Sequence, residues 1–317
     1  MSKPTTFDEY IGQTNAKEVL KMLVKEAKMM EQPFPHTLLI GPSGIGKTIL
    51  SYIIANQLET KVYETVGTSL VTNQDVIDVF IGVLAKYNQI ERKSPIVLVI
   101  DEIHNISRKA AEDLLLPLSE GKIVVNSYGD KELKRLPPFT LIGATTNPGN
   151  LVTTLKSRLK KIILELYTTA DIEAIISTTV DRMKIKVNKE AIHEIAKRSR
   201  STARVAVDDY LQTMLSDMHV NGDSGITKIN TDRVFSLLQI DDLGLTPTDR
   251  RYLTYLLKVE RAGLANIAMA LTIDEKTLVE DVEPMLVREG LVMITPGGRR
   301  PTIIAKQHLL GSDIVDL

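Results

Sequence analysis

The amino-acid sequence predicts an α/β core with a parallel sheet, followed by a helical region and a C-terminal winged helix. Three observations predict this order. A strand-like run leads into a glycine-rich loop, a second branched apolar run ends in two acids, and the pattern becomes helical after about residue 168. The chain has 317 residues, a length that accommodates two or three domains.

A glycine-rich loop follows the first predicted strand. Thr37 to Ile40 form a short, branched apolar run, and residues 41–48 (GPSGIGKT) fit the pattern G-x-x-x-x-G-K-[ST] without a mismatch. Apolar residues recur at helical spacing from Ile49 to Leu58. A glycine turn with a chance lysine is the alternative, but the order of strand, loop and helix favours a phosphate-binding loop.

The residue types of this loop suit a nucleoside triphosphate. Gly41, Gly44 and Gly46 allow backbone N–H groups to turn around a phosphate, and the helix that starts near Lys47 adds its positive dipole end. Lys47 would reach the outer phosphates, and the Thr48 hydroxyl would ligate Mg²⁺. The pattern therefore predicts an ATP and Mg²⁺ site.

Two adjacent acids end the second apolar run. Residues 96–100 are all branched and apolar, and Asp101 and Glu102 follow them, as expected where a central strand meets a ligand. We assign Asp101 to the metal, through a water molecule, and Glu102 to the attacking water. The alternative is a helix start, since Ser107 can cap the next helix. His104 is left without a role.

A third predicted strand, Phe139 to Ala144, also ends in polar residues. A side chain at this position can touch both the γ-phosphate and the water, so Thr146 is a sensor candidate. The sequence of glycine loop, acidic strand and polar strand describes a parallel sheet with helices on both faces.

The composition is that of an ordinary globular protein, with 43% hydrophobic and 25% charged residues. The formal net charge of -1 excludes a global basic field, so nucleic-acid binding would depend on local patches. The absence of cysteine excludes disulfides and thiolate metal sites. No apolar run approaches membrane-spanning length, and Met1 to Tyr10 is polar, so we expect a cytoplasmic protein.

Several strings extend these patterns into a family resemblance. Residues 3–4 and 7–13, residues 99–104 (VIDEIH) and residues 136–146 (LPPFTLIGATT) resemble the AAA+ ATPases, and among them the RuvB family of Holliday-junction branch-migration motors. The likeness runs from about residue 3 to about residue 300. It implies an ATPase that acts as a homo-oligomeric ring, expected to be a hexamer, and that moves double-stranded DNA at four-way junctions.

The resemblance also implies which side chains lie beside the nucleotide. Tyr10 and Ile11 would lie against the adenine with Lys3 nearby, and Tyr167 matches a tyrosine at the lid boundary. The expected nucleotide contacts within the loop are completed by Ser43, Ile45 and Ile49.

Two arginines take catalytic roles by the same resemblance. Arg158 matches the arginine finger that one subunit inserts into its neighbour's ATP site, and Arg204 matches the second sensor on the lid. A solvated surface charge is the commoner role for a single arginine, but the order and spacing around the matched strings favour the family roles. Such a finger is typically worth about 10³–10⁵ in turnover, so we expect a monomer to be nearly inactive.

The stretch 121–135 predicts a β-hairpin with a turn near Gly129. In the RuvB family a hairpin at this place docks the junction-binding partner RuvA, so the resemblance implies a RuvA-like partner. The apolar residues Ile123 and Val125 could equally pack against the core.

Three domains are expected: an ATPase core at 1–167, a helical lid at 168–242 and a winged helix at 243–317. Thr168 and Asp171 predict the cap of the first lid helix, and residues 272–275 predict a capping box in the winged helix. Predicted strands at 290–294 and 301–304 flank the basic turn 295–300.

DNA contact is expected on the wing. The would-be recognition helix is acidic, with Glu275, Glu280, Asp281 and Glu283, so its insertion into a groove would set like charges against phosphate. Arg299 and Arg300 are therefore the DNA-contact candidates, although a basic turn that only faces solvent remains the alternative.

The chain also departs from the family pattern. Ile294 and Gly297 stand where the family has wing arginines, Ser201 and Ala203 replace a glycine and a proline near the second sensor, and Asp208 and Asp209 replace a basic run. One residue is missing between Arg158 and Tyr167. These changes indicate a divergent relative, such as one carried by a phage or a mobile element, whose partner need not be RuvA.

Three functions are compatible with these patterns. The leading hypothesis is a ring ATPase that drives branch migration of Holliday junctions in recombination and repair. The second is a non-motor ATP switch, similar to a clamp loader or helicase loader, whose winged helix holds a protein partner. A superfamily-two helicase is weaker, because the lid and winged-helix patterns leave no room for a second RecA-like domain.

Overall fold

The computed structural model describes residues 4–90, 94–127 and 130–310, with the backbone alone for residues 126, 127, 130 and 131. The described chain forms two compact units. The first comprises residues up to Lys184 together with Thr202–Val205, and the second comprises Ile185–Ser201 and the residues from Ala206 onward. Lys3, expected beside the adenine, lies outside the described residues.

The first unit is built on a five-stranded parallel sheet in the order β2-β3-β6-β1-β7. All seven residues of β6 and the first five of β3 are buried, so the central strands are covered on both faces, as their unbroken apolar runs require. This confirms the predicted parallel sheet. The strands are β1 (Thr37–Ile40), β2 (Val62–Val66), β3 (Ile96–Asp101), β4 (Lys122–Ser127), β5 (Asp130–Arg135), β6 (Phe139–Thr145) and β7 (Lys160–Ile163); β4 and β5 form a separate hairpin.

Helices surround this sheet, and their caps agree with the sequence signals. Ser107 accepts a hydrogen bond from the Ala110 N–H, and Thr168 and Asp171 form the predicted capping box. The helices are α1 (Thr14–Met29), α2 (Lys47–Gln57), α3 (Asn73–Asn88), α4 (Arg108–Asp113), α5 (Leu115–Glu120), α6 (Thr153–Lys156) and α7 (Thr169–Met183), with 3₁₀ turns at Gly67–Ser69 and Ile103–Asn105.

The second unit is helical apart from a small antiparallel sheet, β8 (Val292–Thr295) with β9 (Gly298–Pro301), which forms the wing. Its core includes Tyr252, Leu253, Leu256 and Leu286, all buried. The helices are α8 (Lys189–Arg198), α9 (Gln212–Asn221), α10 (Lys228–Leu238), α11 (Pro247–Val259), α12 (Leu264–Leu271), α13 (Glu275–Thr277), α14 (Glu283–Arg288) and α15 (Ile303–Leu310), with π-helical segments at Val205–Leu211 and Leu278–Val282.

Two sequence expectations for the winged helix were wrong in detail. Thr272 does not begin a capping box, because it ends α12 in the left-handed conformation, and Asp274 caps α13 by accepting from the Thr277 N–H. The second wing strand lies at Gly298–Pro301, so Arg299 and Arg300 belong to the strand and not to the turn. Within the described ranges, no helix is both long and apolar enough to cross a membrane.

His36 makes the stability of the first unit depend on pH. Its Nδ1 accepts a hydrogen bond of 2.9 Å from the Leu141 N–H, and its ring lies 5.3 Å from that of Phe139. Burial lowers the pKa of His36, and a hydrogen bond with the backbone of Leu118 offsets only part of this effect. The imidazole is therefore held neutral in the folded state.

We expect the free energy of unfolding to fall between pH 7 and pH 5. In the unfolded chain His36 has a pKa of about 6.5, whereas its pKa in the folded chain is lower. Below about pH 6.5 the unfolded chain therefore binds a proton that the folded chain does not bind. The free energy of unfolding consequently decreases as the pH falls from about 6.5 toward the folded-state pKa. His36→Asn, which keeps an acceptor near the Leu141 N–H, should flatten this loss in denaturant titrations. His219→Asn, at an exposed histidine, is the control. An equally steep loss in His36→Asn would contradict the assignment.

Candidate functional site

The glycine loop leaves β1 at the carboxyl edge of the sheet. The Gly41 N–H donates to the Thr145 carbonyl at 3.1 Å, which ties the start of the loop to the end of β6. Gly46 then precedes α2 with φ of 91°, and a Cβ at this position would lie 2.7 Å from the Tyr10 hydroxyl. Both the backbone conformation and the close approach therefore require glycine.

Lys47 is buried beneath the loop. Its Nζ donates to the carbonyl oxygens of Gly41 and Pro42, both at 2.8 Å. Burial lowers the pKa of this ammonium group, while the nearby carboxylates of Glu102 and Asp101 oppose the shift. A buried cation whose hydrogen bonds go to carbonyl oxygens is well suited to the oxygens of a phosphate, which add further counter-charge.

Thr48 and Asp101 meet across the sheet edge. The Thr48 hydroxyl donates to the Asp101 carboxylate at 3.2 Å, so the side chains predicted to hold the metal are neighbours. Across the described parts of the chain, no cluster of three or more His, Cys, Asp or Glu side chains could hold a metal ion. A hydroxyl and one carboxylate fit Mg²⁺, because this ion usually takes one or two protein oxygens and completes its shell with water and phosphate.

Glu102 is held by polar groups that follow the ends of β6 and β3. Its carboxylate accepts from the Thr146 hydroxyl at 3.3 Å, and His104 Nδ1 lies 3.1 Å from the same oxygen. His104 Nδ1 also lies 3.0 Å from the hydroxyl of the buried Thr145. Sequence reasoning left His104 unassigned and did not single out Thr145. The threonine pair at the end of β6 was the available signal.

The backbone at Glu102 adopts an uncommon conformation. Its φ of 44° and ψ of 47° are left-handed, which costs energy for a residue with a side chain. The Glu102 carbonyl approaches Gly67 so closely that a Cβ there would lie 2.3 Å away. Glycine at position 67 therefore makes room for the Glu102 carbonyl in this left-handed turn.

Two tyrosines support the loop from outside. The hydroxyls of Tyr10 and Tyr167 donate to the Ile45 carbonyl at 2.7 and 2.8 Å and lie 3.0 Å from each other. Burial raises the pKa of Tyr167 to about 12, so its hydroxyl keeps its proton at neutral pH. The structure thus brings both predicted tyrosines to the loop. The adenine contacts expected of Tyr10 and Ile11 stay predictions.

Arg204 also contacts the loop. It lies on the short segment Thr202–Val205 that belongs to the first unit. Its N–H donates to the Gly44 carbonyl at 3.3 Å, and its guanidinium donates to the Ser43 hydroxyl at 3.1 Å. The second-sensor candidate therefore lies beside the proposed phosphate position.

Arg158, unlike Arg204, donates a hydrogen bond within its own segment and, among the described residues, none to the glycine loop. Its side chain is exposed and donates to the Thr154 carbonyl on α6 at 2.8 Å. An exposed guanidinium is what a residue that acts on a neighbouring subunit requires. Its role stays a prediction.

The hairpin β4–β5 forms as predicted, but Ile123 and Val125 pack against the core, which was the alternative to a role in docking a partner. Ile123 is buried and Val125 packs partly against the core of the first unit, whereas Leu133 is 54% exposed. The predicted turn near Gly129 lies outside the described residues. A partner surface here would therefore not use the buried Ile123.

The wing arginines differ from each other. Arg299 makes a two-bond ion pair with the buried Glu283, Nε to Oε1 at 2.7 Å and a terminal nitrogen to Oε2 at 3.0 Å, and Tyr252 donates to the same carboxylate. The DNA contact expected of Arg299 does not suit this geometry, because its guanidinium is committed inside the domain. Arg300 is exposed and stays a candidate. Glu283 is also withdrawn from the acidic surface of the recognition helix, which keeps Glu275, Glu280 and Asp281.

Family models of known proteins match this chain from residue 2 to residue 310. Family models match in chain order: "Holliday junction DNA helicase RuvB P-loop domain" at residues 2–166, "RuvB AAA lid domain" at 167–241 and "RuvB C-terminal winged helix domain" at 242–310. The Holliday junction branch migration complex subunit RuvB of Staphylococcus aureus (strain JH9) is 35% identical over 320 aligned residues, which cover 98% of this chain and 92% of the relative.

The chain belongs to the RuvB family.

Solved RuvB structures agree with this assignment. The Thermotoga maritima RuvB Holliday junction branch migration motor has a TM-score of 0.83 and 33% identity, and covers 97% of each chain. A mutant of the same RuvB has a TM-score of 0.85 and 33% identity, and covers 97% of this chain and 98% of its own. The predicted fold and the predicted family are therefore confirmed. RuvB membership disfavours the non-motor switch, since the three models together match a RuvB chain from core to wing.

We expect the two tyrosine hydroxyls to support the RuvB nucleotide loop redundantly. In Tyr10→Phe or Tyr167→Phe the other hydroxyl still satisfies the Ile45 carbonyl, whereas the double variant leaves it without either donor, at a cost of about 1–3 kcal/mol. Calorimetric binding of a non-hydrolysable ATP analogue should therefore weaken more in the double variant than the two single losses predict. Tyr52→Phe, whose hydroxyl bonds Glu64, is the control. Additive losses would argue against shared support.

Proposed function

We propose that this chain is a subunit of an ATP-driven motor that moves the branch point of Holliday junctions. The similarity to RuvB over 98% of the chain carries this proposal. The structure supports it locally, because the loop cation, the acidic strand end and the polar strand end meet at one edge of the sheet. The same edge would hold the triphosphate during hydrolysis.

The proposed hydrolysis is divided among a few side chains. Lys47, freed from its carbonyl partners, holds the outer phosphates, and Glu102 orients the water and accepts its proton. Thr146 and His104 hold the Glu102 carboxylate in place, and Arg204 approaches from beside Ser43. Thr48 and Asp101 would hold Mg²⁺, which would supply charge neutralisation on the phosphate oxygens.

Assembly completes the proposed site. Arg158 would stabilise the transition-state charge in a neighbouring subunit of a hexameric ring, as arginine fingers do. Its exposure in a single chain supports this role. The hairpin β4–β5 would contact a RuvA-like partner through its exposed residues, among which Leu133 is the apolar candidate.

The chain would divide into three domains. We place the ATPase core at residues 1–167, the lid at 168–242 and the winged helix at 243–317. The winged helix would contact double-stranded DNA, with Arg300 as one phosphate contact. A cytoplasmic location fits a protein that works on chromosomal DNA.

Dissociation of a synthetic four-way junction tests the motor. The wild type should separate a labelled junction in the presence of ATP and Mg²⁺, with and without a RuvA-like protein as a second arm. Glu102→Gln should bind ATP but lose hydrolysis by about 10²–10⁴, because the base is gone, and should leave the junction intact. Glu112→Gln, at an exposed acid, is the control. Wild-type hydrolysis that is indifferent to DNA, with no junction dissociation in either arm, would count against the motor.

Mixing experiments test the ring. Arg158→Ala should bind ATP and hydrolyse it about 10³–10⁵ more slowly, since the transition-state charge is unpaired. Added to wild type, it should depress turnover by more than its mole fraction. Arg108→Ala, at another exposed arginine, should only dilute the activity. Hydrolysis by Arg158→Ala alone at the wild-type rate would exclude the shared site.

A further inference from the structure

The wing is fixed to the loop that follows α11. Ala262 and Arg299 exchange both backbone hydrogen bonds, at 3.1 and 2.8 Å, and form an isolated antiparallel bridge. Gly298 adopts φ of 118° beside this bridge, where a Cβ would lie 2.5 Å from the Ala262 carbonyl. The loop thus acts as a third short strand, which sets the position of its side chains relative to the wing.

This bridge places a further arginine beside the wing turn. Arg261 directly precedes Ala262, and its guanidinium lies against Gly297: a Cβ on Gly297 would be 2.9 Å from its Nη1. The guanidinium occupies the space that a side chain at position 297 would fill. Glycine at the turn is what leaves that space open.

Arg261 and Arg300 occupy opposing positions in the register of this pairing. In the antiparallel pairing of Ala262 with Arg299, the next pair outward is Arg261 with Arg300, and both line one groove of about 700 Å³ with Lys306. Both arginines are exposed. Glu260 also lines the groove, but within the described residues no carboxylate forms an ion pair with any of the three cations.

Cations held at opposing positions repel one another unless an anion lies between them. The arrangement therefore fits an extended polyanion, whose successive phosphates can meet several fixed donors. Arg299 does not compete for this role, because Glu283 and the bridge to Ala262 commit both its side chain and its backbone.

We propose that Arg261 and Arg300 form the phosphate-contacting pair of the wing, with Arg261 delivered to the wing turn from the loop after α11. The ligand is the backbone of duplex DNA, so this inference rests on the proposed function. It moves the DNA contact from Arg299 to a residue outside the wing hairpin. Arg299 becomes the positioning residue that holds the wing to α14.

The salt dependence of DNA binding tests this assignment. Fluorescence anisotropy with labelled duplex and the full-length chain gives the slope of the logarithm of the association constant against the logarithm of the salt concentration. This slope is negative, and its magnitude decreases by about 0.9 for each phosphate that the protein no longer neutralises. Arg261→Gln and Arg300→Gln should each reduce the slope by at least that amount without lowering the melting temperature. Lys258→Gln removes an exposed cation from the same domain and should leave the slope unchanged.

A rescue variant tests whether the salt slope depends on a guanidinium at this position or only on the net charge of the domain. Gly297→Arg should restore the slope in the Arg261→Gln background, because it returns a guanidinium to the space that Arg261 vacates. If the wild type binds duplex DNA but Arg261→Gln leaves the salt slope unchanged, the inference is wrong while the proposed function stands. The same holds if Lys258→Gln reduces the slope as much as Arg261→Gln does. A wild type that does not bind duplex DNA at low salt would overturn the proposed function and this inference with it.

Discussion

The parallel alignment of three central strands is the constraint on which the site depends. β1 lies beside β6, and β6 lies beside β3, so their carboxyl ends share one edge of the sheet. Lys47, Glu102 and Thr146 come from segments far apart in sequence, yet each follows one of these ends. A ligand outside the carboxyl ends of the strands, near crossovers, is the general consequence of such a sheet. The hydrogen bond from Gly41 to Thr145 closes the same edge through the backbone.

The groups around the loop show how the fold prepares this edge. The loop offers its carbonyls to Lys47 on one side and to the two tyrosine hydroxyls on the other, so its shape is set before a phosphate arrives. A loop whose shape is fixed in advance can present its N–H donors to a charged group without further rearrangement. The cost appears as strain and burial: a left-handed Glu102, and a lysine whose pKa is lowered by its surroundings. Such costs are common where a site is built for a charged ligand.

Short-range sequence signals predicted several elements of the fold correctly. The glycine loop, the strand limits of β1 and the caps at Ser107 and Thr168 all follow from short-range rules, and the structure confirms them. Prediction was wrong where two local rules competed. Residues 272–275 offer two possible caps, and the left-handed end of α12 takes Thr272, which leaves Asp274 to begin the next helix. The wing strand likewise shifted, since Ala262, distant in sequence, pairs with it.

The sequence by itself determined the α/β core, the glycine-rich loop and the family, because these depend on contiguous residues whose spacing carries the chemistry. The tertiary structure alone decided the partners of charged side chains. Arg299 and Arg300 are adjacent and identical in the sequence, yet one pairs with the buried Glu283 and the other faces solvent. Alternate residues of a strand point to opposite faces, and only packing decides what each face meets. The same reason hides Arg261 from any local pattern, since backbone pairing between distant segments brings it to the wing.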